Sequence, residues 1–503
     1  MSRLNVGWAE ISITPDKRIS LAGQFAERIS EYVEKPLTAT ALALDSGDDQ
    51  VVFCSCDLAG TAWRLVEDLR KRLAGNPAGL DPEKVILNAT HTHTGPVYFG
   101  GQRSAEKLGT TIGSYREMLE SFLAPGQKYV EKVSTHAPDI ATPEEIHALL
   151  LERLTEVILQ AWSRRRPGAF AHAFGRAPVG MCRRVLYSDD TAQMWGDANS
   201  AAFTAIEGGN DSGIELLYFF DEREKLTGIV ANVACPAQCV QHRRFVSPDY
   251  WGEVRVLLRR EFGQDIFLLA QCSAAGDQCP VDLVRWVEPH EPLNDPNIHQ
   301  RAPIRRKADP SMFDLEGMKK AGRRVAREII EVWREGVGPA DDNPGLTHRV
   351  IAANLPLRRA TPTDRAAAEA GIREYLREKR GDVDYNDVAN LQQHLGVLRR
   401  CGLQDRLEVL EVELHVVRLG RIAFATNPFE LFLDYGNQIK ARSRAEQTFL
   451  VELANGTEGY LPTEYAERHG HYSAFIASGQ VGHEGGDLLV RETLHAIGQL
   501  FGA

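Results

Sequence analysis

The sequence predicts an α/β fold in which mixed β-sheets are flanked by helices. Three observations carry this reading. Apolar runs of strand length alternate with amphipathic helical stretches along the chain. Two pairs of runs are joined by hairpin turn signals, Gly47-Asp48-Asp49 and Asp221-Glu222-Arg223. Several runs also end in loops that carry histidine, aspartate or glutamate beside glycine and proline. In open α/β sheets, loops at the carboxyl ends of strands are where ligands bind.

The elements follow in order. Residues 6–13 alternate and end at Thr14-Pro15, a strand and a turn. Residues 38–44 and 51–56 form the first hairpin. Asp57, just past it, is expected to cap the next helix rather than to join a site. That helix carries Leu65, Leu69 and Leu73 on one face and stops at Gly75. Residues 85–87 end a buried strand and open into Asn88-Ala89-Thr90-His91-Thr92-His93-Thr94-Gly95-Pro96. Residues 100–139 are long for a connection and are expected to form a lid, a rim or a surface excursion. Thr142-Pro143-Glu144-Glu145 is a capping box that starts a core helix through Ile146, Leu150, Leu154, Val157 and Ile158. Arg183 and Arg184 follow a strand. Residues 214–220 and 226–233 form the second hairpin, which runs into Cys235-Pro236-Ala237-Gln238 and then His242. Ser247-Pro248-Asp249-Tyr250-Trp251-Gly252 opens a helix. A buried strand at 266–270 delivers Ala274-Ala275-Gly276-Asp277-Gln278-Cys279-Pro280. Residues 282–310 read as irregular, 318–333 as an amphipathic helix, and 363–400 as a polar helical pair at the surface. Strands at 412–416 and 422–426 flank Leu419-Gly420-Arg421, and the second ends at Asn427-Pro428-Phe429-Glu430. No internal repeat is visible.

Composition excludes several function classes. The chain has 503 residues, 43% hydrophobic and 25% charged, as a globular protein does. A net charge of −11 argues against nucleic acid or an anionic membrane as partner. No apolar run of about 18 residues suggests a spanning helix. The first residues lack the apolar core of a signal peptide, and the eight cysteines show no small-scaffold spacing. A cytoplasmic location with reduced thiols is the expectation, though a chain trimmed of a leader would read the same.

The chemistry-bearing residues lie at strand exits. In extended chain, His91 and His93 at i and i+2 would point to one side, a metal ligand beside an acid/base partner. The plain alternative is that both bond the turn backbone. An arginine at 183 could clamp a substrate carbonyl or carboxylate. The Gly276-to-Pro280 stretch reads either as a site loop or as a tight turn whose Asp277 caps a helix.

Together these stretches resemble the neutral ceramidase family. Asn88-Ala89-Thr90-His91-Thr92-His93-Thr94-Gly95-Pro96 is similar to its histidine signature. Gly276-Asp277-Gln278-Cys279-Pro280 is similar to its Gly-Asp-x-Ser-Pro loop, and Asn427-Pro428-Phe429-Glu430 to its Pro-Gly-Glu loop. Tyr460-Leu461-Pro462-Thr463 resembles its Tyr-x-Thr-Thr turn, with Tyr472 as a second site tyrosine. The resemblance covers the whole chain as one catalytic domain, with a helical insertion near 363–400 and without the immunoglobulin-like C-terminal domain of true ceramidases. It implies an α/β fold with Zn2+ in a cleft. His91, Glu430 and Tyr460 would be ligands, His93 the acid/base group, and Tyr472 and Arg183 donors to the substrate carbonyl. Asp277 and Cys279 belong to the matched loop.

Two departures stand out. The family's Cys-His-Pro histidine is missing, since Cys235 is followed directly by Pro236. His242 is the expected replacement ligand, with the Cys235 thiolate as rival. Cys279 stands where the family has serine, as an orienting thiol or a covalent nucleophile. The expected function is a zinc-dependent hydrolase that cleaves an N-acyl amide of a small soluble substrate by metal-activated water. Alternatives are hydrolysis of an ester, lactone or glycosidic bond through Cys279, and a non-catalytic metal-binding relative. N/O ligands suit zinc but also accept Mn or Fe.

Overall fold

The computed structural model describes residues 3–24, 27–76, 79–98, 114–130, 137–285, 313–379 and 381–502. Of the expected lid or rim, 100–113 and 131–136 lie outside the described residues, as do 286–310 of the irregular stretch.

Three four-stranded units build the fold. The first is Asn5–Ser12, Thr38–Asp45, Gln50–Cys56 and Val85–Ala89. The second is Arg166–Arg176, Gly213–Asp221, Leu226–Val233 and Phe267–Cys272. The third is Leu346–Pro356, Val409–Leu419, Ile422–Thr426 and Gln447–Val451. In each unit the first three strands are antiparallel and the fourth is parallel to the third. A helix makes each crossover: Trp63–Leu73, Tyr250–Phe262 and Leu433–Arg442. The topology thus repeats three times, although no repeat is visible in the sequence. Topology needs only the placement of apolar runs and turns, so the three copies share a pattern rather than residues.

The first two units join into one eight-stranded sheet through Asn5 and Val6, which pair with Pro167 and Arg166. Apolar side chains from all three units meet in a shared core, including Trp8 and Phe53, Phe219 and Leu269, and Phe424 and Phe449. Helices cover the outer faces: Trp63–Leu73 and Pro143–Ser163 on the first unit, Tyr250–Phe262 and Asp314–Glu335 on the second, Leu433–Arg442 and His483–Leu500 on the third. Sheets buried on both faces explain why several strands read as continuous apolar runs. Both expected hairpins are present, and Thr142 makes its capping box.

Asparagines tie the units together. The Asn88 amide donates to the Ala270 carbonyl at 3.1 Å, and that of Asn232 to Leu450 at 2.7 Å. The carboxyl ends of the parallel strands therefore converge. The polar stretch near 363–400 forms two helices, Pro362–Glu378 and Tyr385–Gln404. The second is more than surface: it packs on the short helix Tyr115–Glu120 and lines a cavity.

Candidate active site

The histidine loop leaves the first unit's last strand, which is buried at every position. The extended geometry expected for His91 does not occur: its φ is 63°, in the left-handed region. Non-glycine residues hold that conformation only where surroundings over-determine it, and such positions cluster at functional sites. The surroundings here are specific. The Thr90 hydroxyl donates to Asp57 at 3.2 Å, and Asp57 is clamped by Arg255 at 2.8 and 3.0 Å. The Thr92 and Thr94 hydroxyls both donate to the Ser247 carbonyl, at 2.7 and 2.8 Å. Asp57 therefore braces this loop instead of capping the next helix, which has no side-chain cap. The two imidazoles still meet, with centroids 5.1 Å apart. Gly23, at φ 89°, lies against the His93 ring, where a Cβ would collide.

His91 sits between two carboxylates. Its Nε2 is 3.6 Å from Glu430 Oε2, and its Nδ1 is 3.6 Å from Glu452 Oε1. Glu452 is fully buried. Its Oε2 accepts the backbone N–H groups of Ala275 and Leu431, each at 3.0 Å, and its Oε1 accepts from the Cys272 thiol at 3.3 Å. Burial pushes the Glu452 carboxyl up to about 8. Burial also raises Glu430, with His91 and Arg183 opposing. The His91 imidazole is lowered by burial, against the pull of Glu430. His93 is held well below its ordinary value by burial and then by His91, Arg28 and Arg183.

Tyr460 reaches the site through backbone pairing. Strands Glu430–Leu431 and Tyr460–Leu461 are parallel, with Glu430 opposite Tyr460. The Tyr472 hydroxyl donates to that of Tyr460 at 3.3 Å. Arg183 is buried, donates to the Gly276 carbonyl at 2.9 Å, and stands 5.5 Å from the Tyr460 ring centroid. Burial opposes its charge, but Tyr460, Glu430 and Tyr472 hold the guanidinium above its ordinary range.

A cavity of about 300 Å³ is lined by His91, His93, Arg183, Glu430, Tyr460 and Tyr472, among others. Four other expected residues lie elsewhere. His242 faces Asp314 at 3.5 Å and stacks on Phe313, off this cavity wall. Cys235 is a buried thiol facing the Val179 and Pro236 carbonyls at 3.5 Å, raised well above its ordinary value by burial. Cys279 packs with Val185, Trp195 and Val281, and burial pushes its thiol up to about 12. A protonated thiol off the cavity wall does not suit a covalent nucleophile. Asp277 accepts from the Leu433 N–H at 3.0 Å, capping helix Leu433–Arg442 from outside it. The same loop holds Arg183 through the Gly276 and Asp277 carbonyls, which accept from its side chain and its backbone N–H at 2.9 Å.

Two kinds of residue escaped the sequence reading. Glu452 shares the pattern that singled out Glu430, an acid just past a strand, and could have been found by it. Gln238 and Gln241 line the cavity from the loop after Leu226–Val233, where a histidine or thiol was expected. Their side chains carried no signal of their own.

The donors fit a cation such as zinc. His91 Nε2 and Glu430 Oε2 are too far apart to hydrogen-bond and face one cavity beside the Tyr460 phenol. An N/O set of three with an open side is the pattern of a catalytic zinc site. His91, Glu452 and Cys272 form a second group on the closed side, with one ligand atom from each within 4.8 Å of the others.

No family model and no curated protein matches the chain. Solved structures do. A neutral ceramidase from Pseudomonas aeruginosa aligns over 100% of this chain and 75% of its own, with a TM-score of 0.67 at 15% identity. The chain has the neutral-ceramidase fold. A second structure, a ceramidase complexed with C2, aligns over 99% of this chain and 75% of its own, with a TM-score of 0.66 at 14% identity. Among the described residues, no helix is long and apolar enough to cross a membrane.

Proposed function

We propose that the chain is a zinc-dependent hydrolase that cleaves the amide bond of a small molecule. The observation behind this reading is the gathering of His91, His93, Arg183, Glu430, Tyr460 and Tyr472 on one cavity. His91, Glu430 and Tyr460 would hold the ion. Bound zinc supplies Lewis acidity, polarising a carbonyl and lowering the pKa of water. Glu452 Oε1 stands 3.6 Å from His91 Nδ1, where it favours the tautomer with the proton on Nδ1 and the Nε2 lone pair turned to the cavity. The substrate carbonyl lies against Arg183 and Tyr472, whose N–H and O–H groups stabilise the developing oxyanion. His93, kept neutral by burial, takes the proton of the attacking water and returns it to the leaving nitrogen. The water oxygen bonds to the acyl carbon, the C–N bond breaks, and a carboxylic acid and an amine leave.

The test is metal analysis and turnover of an N-acyl panel by the purified chain, beside His93→Ala. The expected result is near-stoichiometric zinc in both proteins and turnover only in the wild type. A protein that takes up no metal after reconstitution, or a His93→Ala variant with wild-type rates, refutes the proposal.

A further inference from the structure

Two cavities share one wall. Glu430, Tyr460 and Tyr472 line both the 300 Å³ cavity and a neighbouring one of about 490 Å³. The larger is walled by the helix Tyr385–Gln404 through Asn390, Gln392 and Gln393, and by Tyr115. Both volumes are in the range of small-ligand sites. A substrate whose amide lies at the shared wall places one half in each.

The linings mix aromatic and other apolar side chains with amides, Met194, Trp195 and Phe475 beside Gln238, Gln241 and Gln393. Among the described residues, no leucine, isoleucine or valine lines either cavity. An alkyl chain gains its binding from apolar wall, and against amide side chains it would leave polar groups unpaired. The smaller cavity instead holds Gln24, Gln238, Gln241 and Arg183. Gln238 is 1% exposed, and its amide nitrogen has no hydrogen-bond partner among the described residues. A buried polar group without a partner is uncommon and asks for a ligand that supplies one. The Arg183 Nε likewise has no partner among the described residues. Donors beside a buried guanidinium call for an acceptor-rich, anionic group.

Resting on the amide-hydrolase reading, we propose that the substrate is a short amide bearing a carboxylate, held in the smaller cavity by Gln238 and Gln241 in the field of Arg183. The substrate class is that of N-acylated amino acids with short acyl groups, not lipids.

The experiment is a ligand-observed NMR titration of the zinc-loaded full chain, with product assayed in parallel. The probes are N-acetylglycine, N-acetylethanolamine, N-butylacetamide and N-dodecanoylglycine. N-acetylglycine is expected to bind on the order of tenfold or more tightly than N-butylacetamide, the scale of one charge-assisted hydrogen bond. Gln238→Leu narrows that gap to a few-fold. Gln238→Glu repels N-acetylglycine yet keeps N-acetylethanolamine, which shows that the variant is folded. Equal or tighter binding of N-butylacetamide or N-dodecanoylglycine overturns the proposal, as does wild-type selectivity in both Gln238 variants. Tighter binding of N-acetylethanolamine than of N-acetylglycine overturns the carboxylate assignment. Selective binding without any product upholds the subsite and removes the hydrolase reading instead.

Discussion

Replacing Glu452 by glutamine isolates one proton. The two carboxyl oxygens do different things: Oε2 takes both backbone N–H groups, and Oε1 faces His91 Nδ1 and the Cys272 thiol. Glutamine has the same shape, and its carbonyl can replace Oε2. Its NH2 then stands where Oε1 was, 3.6 Å from Nδ1, and no longer favours a proton on that atom. The imidazole is then biased to carry its proton on Nε2, the atom that faces Glu430 and the cavity. If the amide flips to prevent this, the Ala275 and Leu431 N–H groups lose their acceptor, at about 1–3 kcal/mol each. Either way the tautomer with a free Nε2 becomes costlier by roughly 1–3 kcal/mol, about a 5- to 150-fold loss of zinc affinity. Loss of a carboxylate partner behind a ligating histidine typically costs about 10–100-fold, inside that span. The assay is a zinc titration against a competing chelator, with 15N NMR of the His91 ring to read its tautomer. Glu452→Gln should melt near the wild type, whereas Glu452→Ala, which strands both N–H groups, should lose roughly 2–6 kcal/mol of stability. A Glu452→Gln protein with wild-type zinc affinity and an unchanged His91 tautomer would refute the reasoning.

Four further outcomes are expected. His91→Ala and Glu430→Ala should lose zinc by elemental analysis while His242→Ala keeps it, because His242 faces Asp314; zinc lost only in His242→Ala would reverse the ligand assignment. Gly23→Ala pushes a Cβ into the His93 ring and should lower kcat/KM on the order of 10–100-fold, for roughly 1–3 kcal/mol of strain; unchanged kinetics would remove His93 from the reaction. Cys279→Ala should keep kcat within a few-fold and cost about 1 kcal/mol of stability, whereas abolished turnover in a folded variant would restore the covalent route. Asp249, which accepts from the N–H groups of Val240 and Tyr250, is raised by burial from 3.8 to about 6. Between those values the folded chain keeps a proton that the unfolded chain has released, so stability falls as pH rises through the window, by roughly 3 kcal/mol. In urea titrations, Asp249→Asn should gain on the wild type by that amount from about pH 3.5 to about pH 6.5, and a flat difference would contradict it.

The fold was legible where apolar runs and turn chemistry agree. Both hairpins, the helix after Asp249 and the Thr142 capping box are local, and local signals suffice for them. Register between distant strands is not local, so the threefold topology could not be read from the chain. The same division holds at the site. His91, His93, Arg183, Glu430, Tyr460 and Tyr472 lie in short motifs, and all of them reach the cavity. Asp277 and Cys279 also lie in a motif, yet they turn away, because Asp277 is drawn to the N–H of Leu433, a residue 156 positions along the chain. His242 was chosen by proximity in sequence to Cys235, and its position is decided instead by Phe313 and Asp314 at the start of a distant helix. Such long-range pairings decide which loop side chain faces inward.

The threefold arrangement explains why the polar groups collect where they do. Each unit ends in a parallel pair of strands, and the three pairs converge at their carboxyl ends. His91 leaves the last strand of the first unit, Cys272 ends that of the second, and Glu452 follows that of the third. These three residues, each from a different unit, form the compact group behind the cavity. No single unit could bury such a cluster, since two of its members would be missing and the rest would be solvated. Assembly of the units desolvates Glu452 and His91 together, which raises the one and lowers the other. Their proton is then settled by whatever occupies the Nε2 side. The site is therefore a product of the packing of all three units. A core substitution that loosens one of them, such as Phe424→Ala against Phe53 at 4.6 Å, should weaken zinc binding from within the shared core, without touching a ligand.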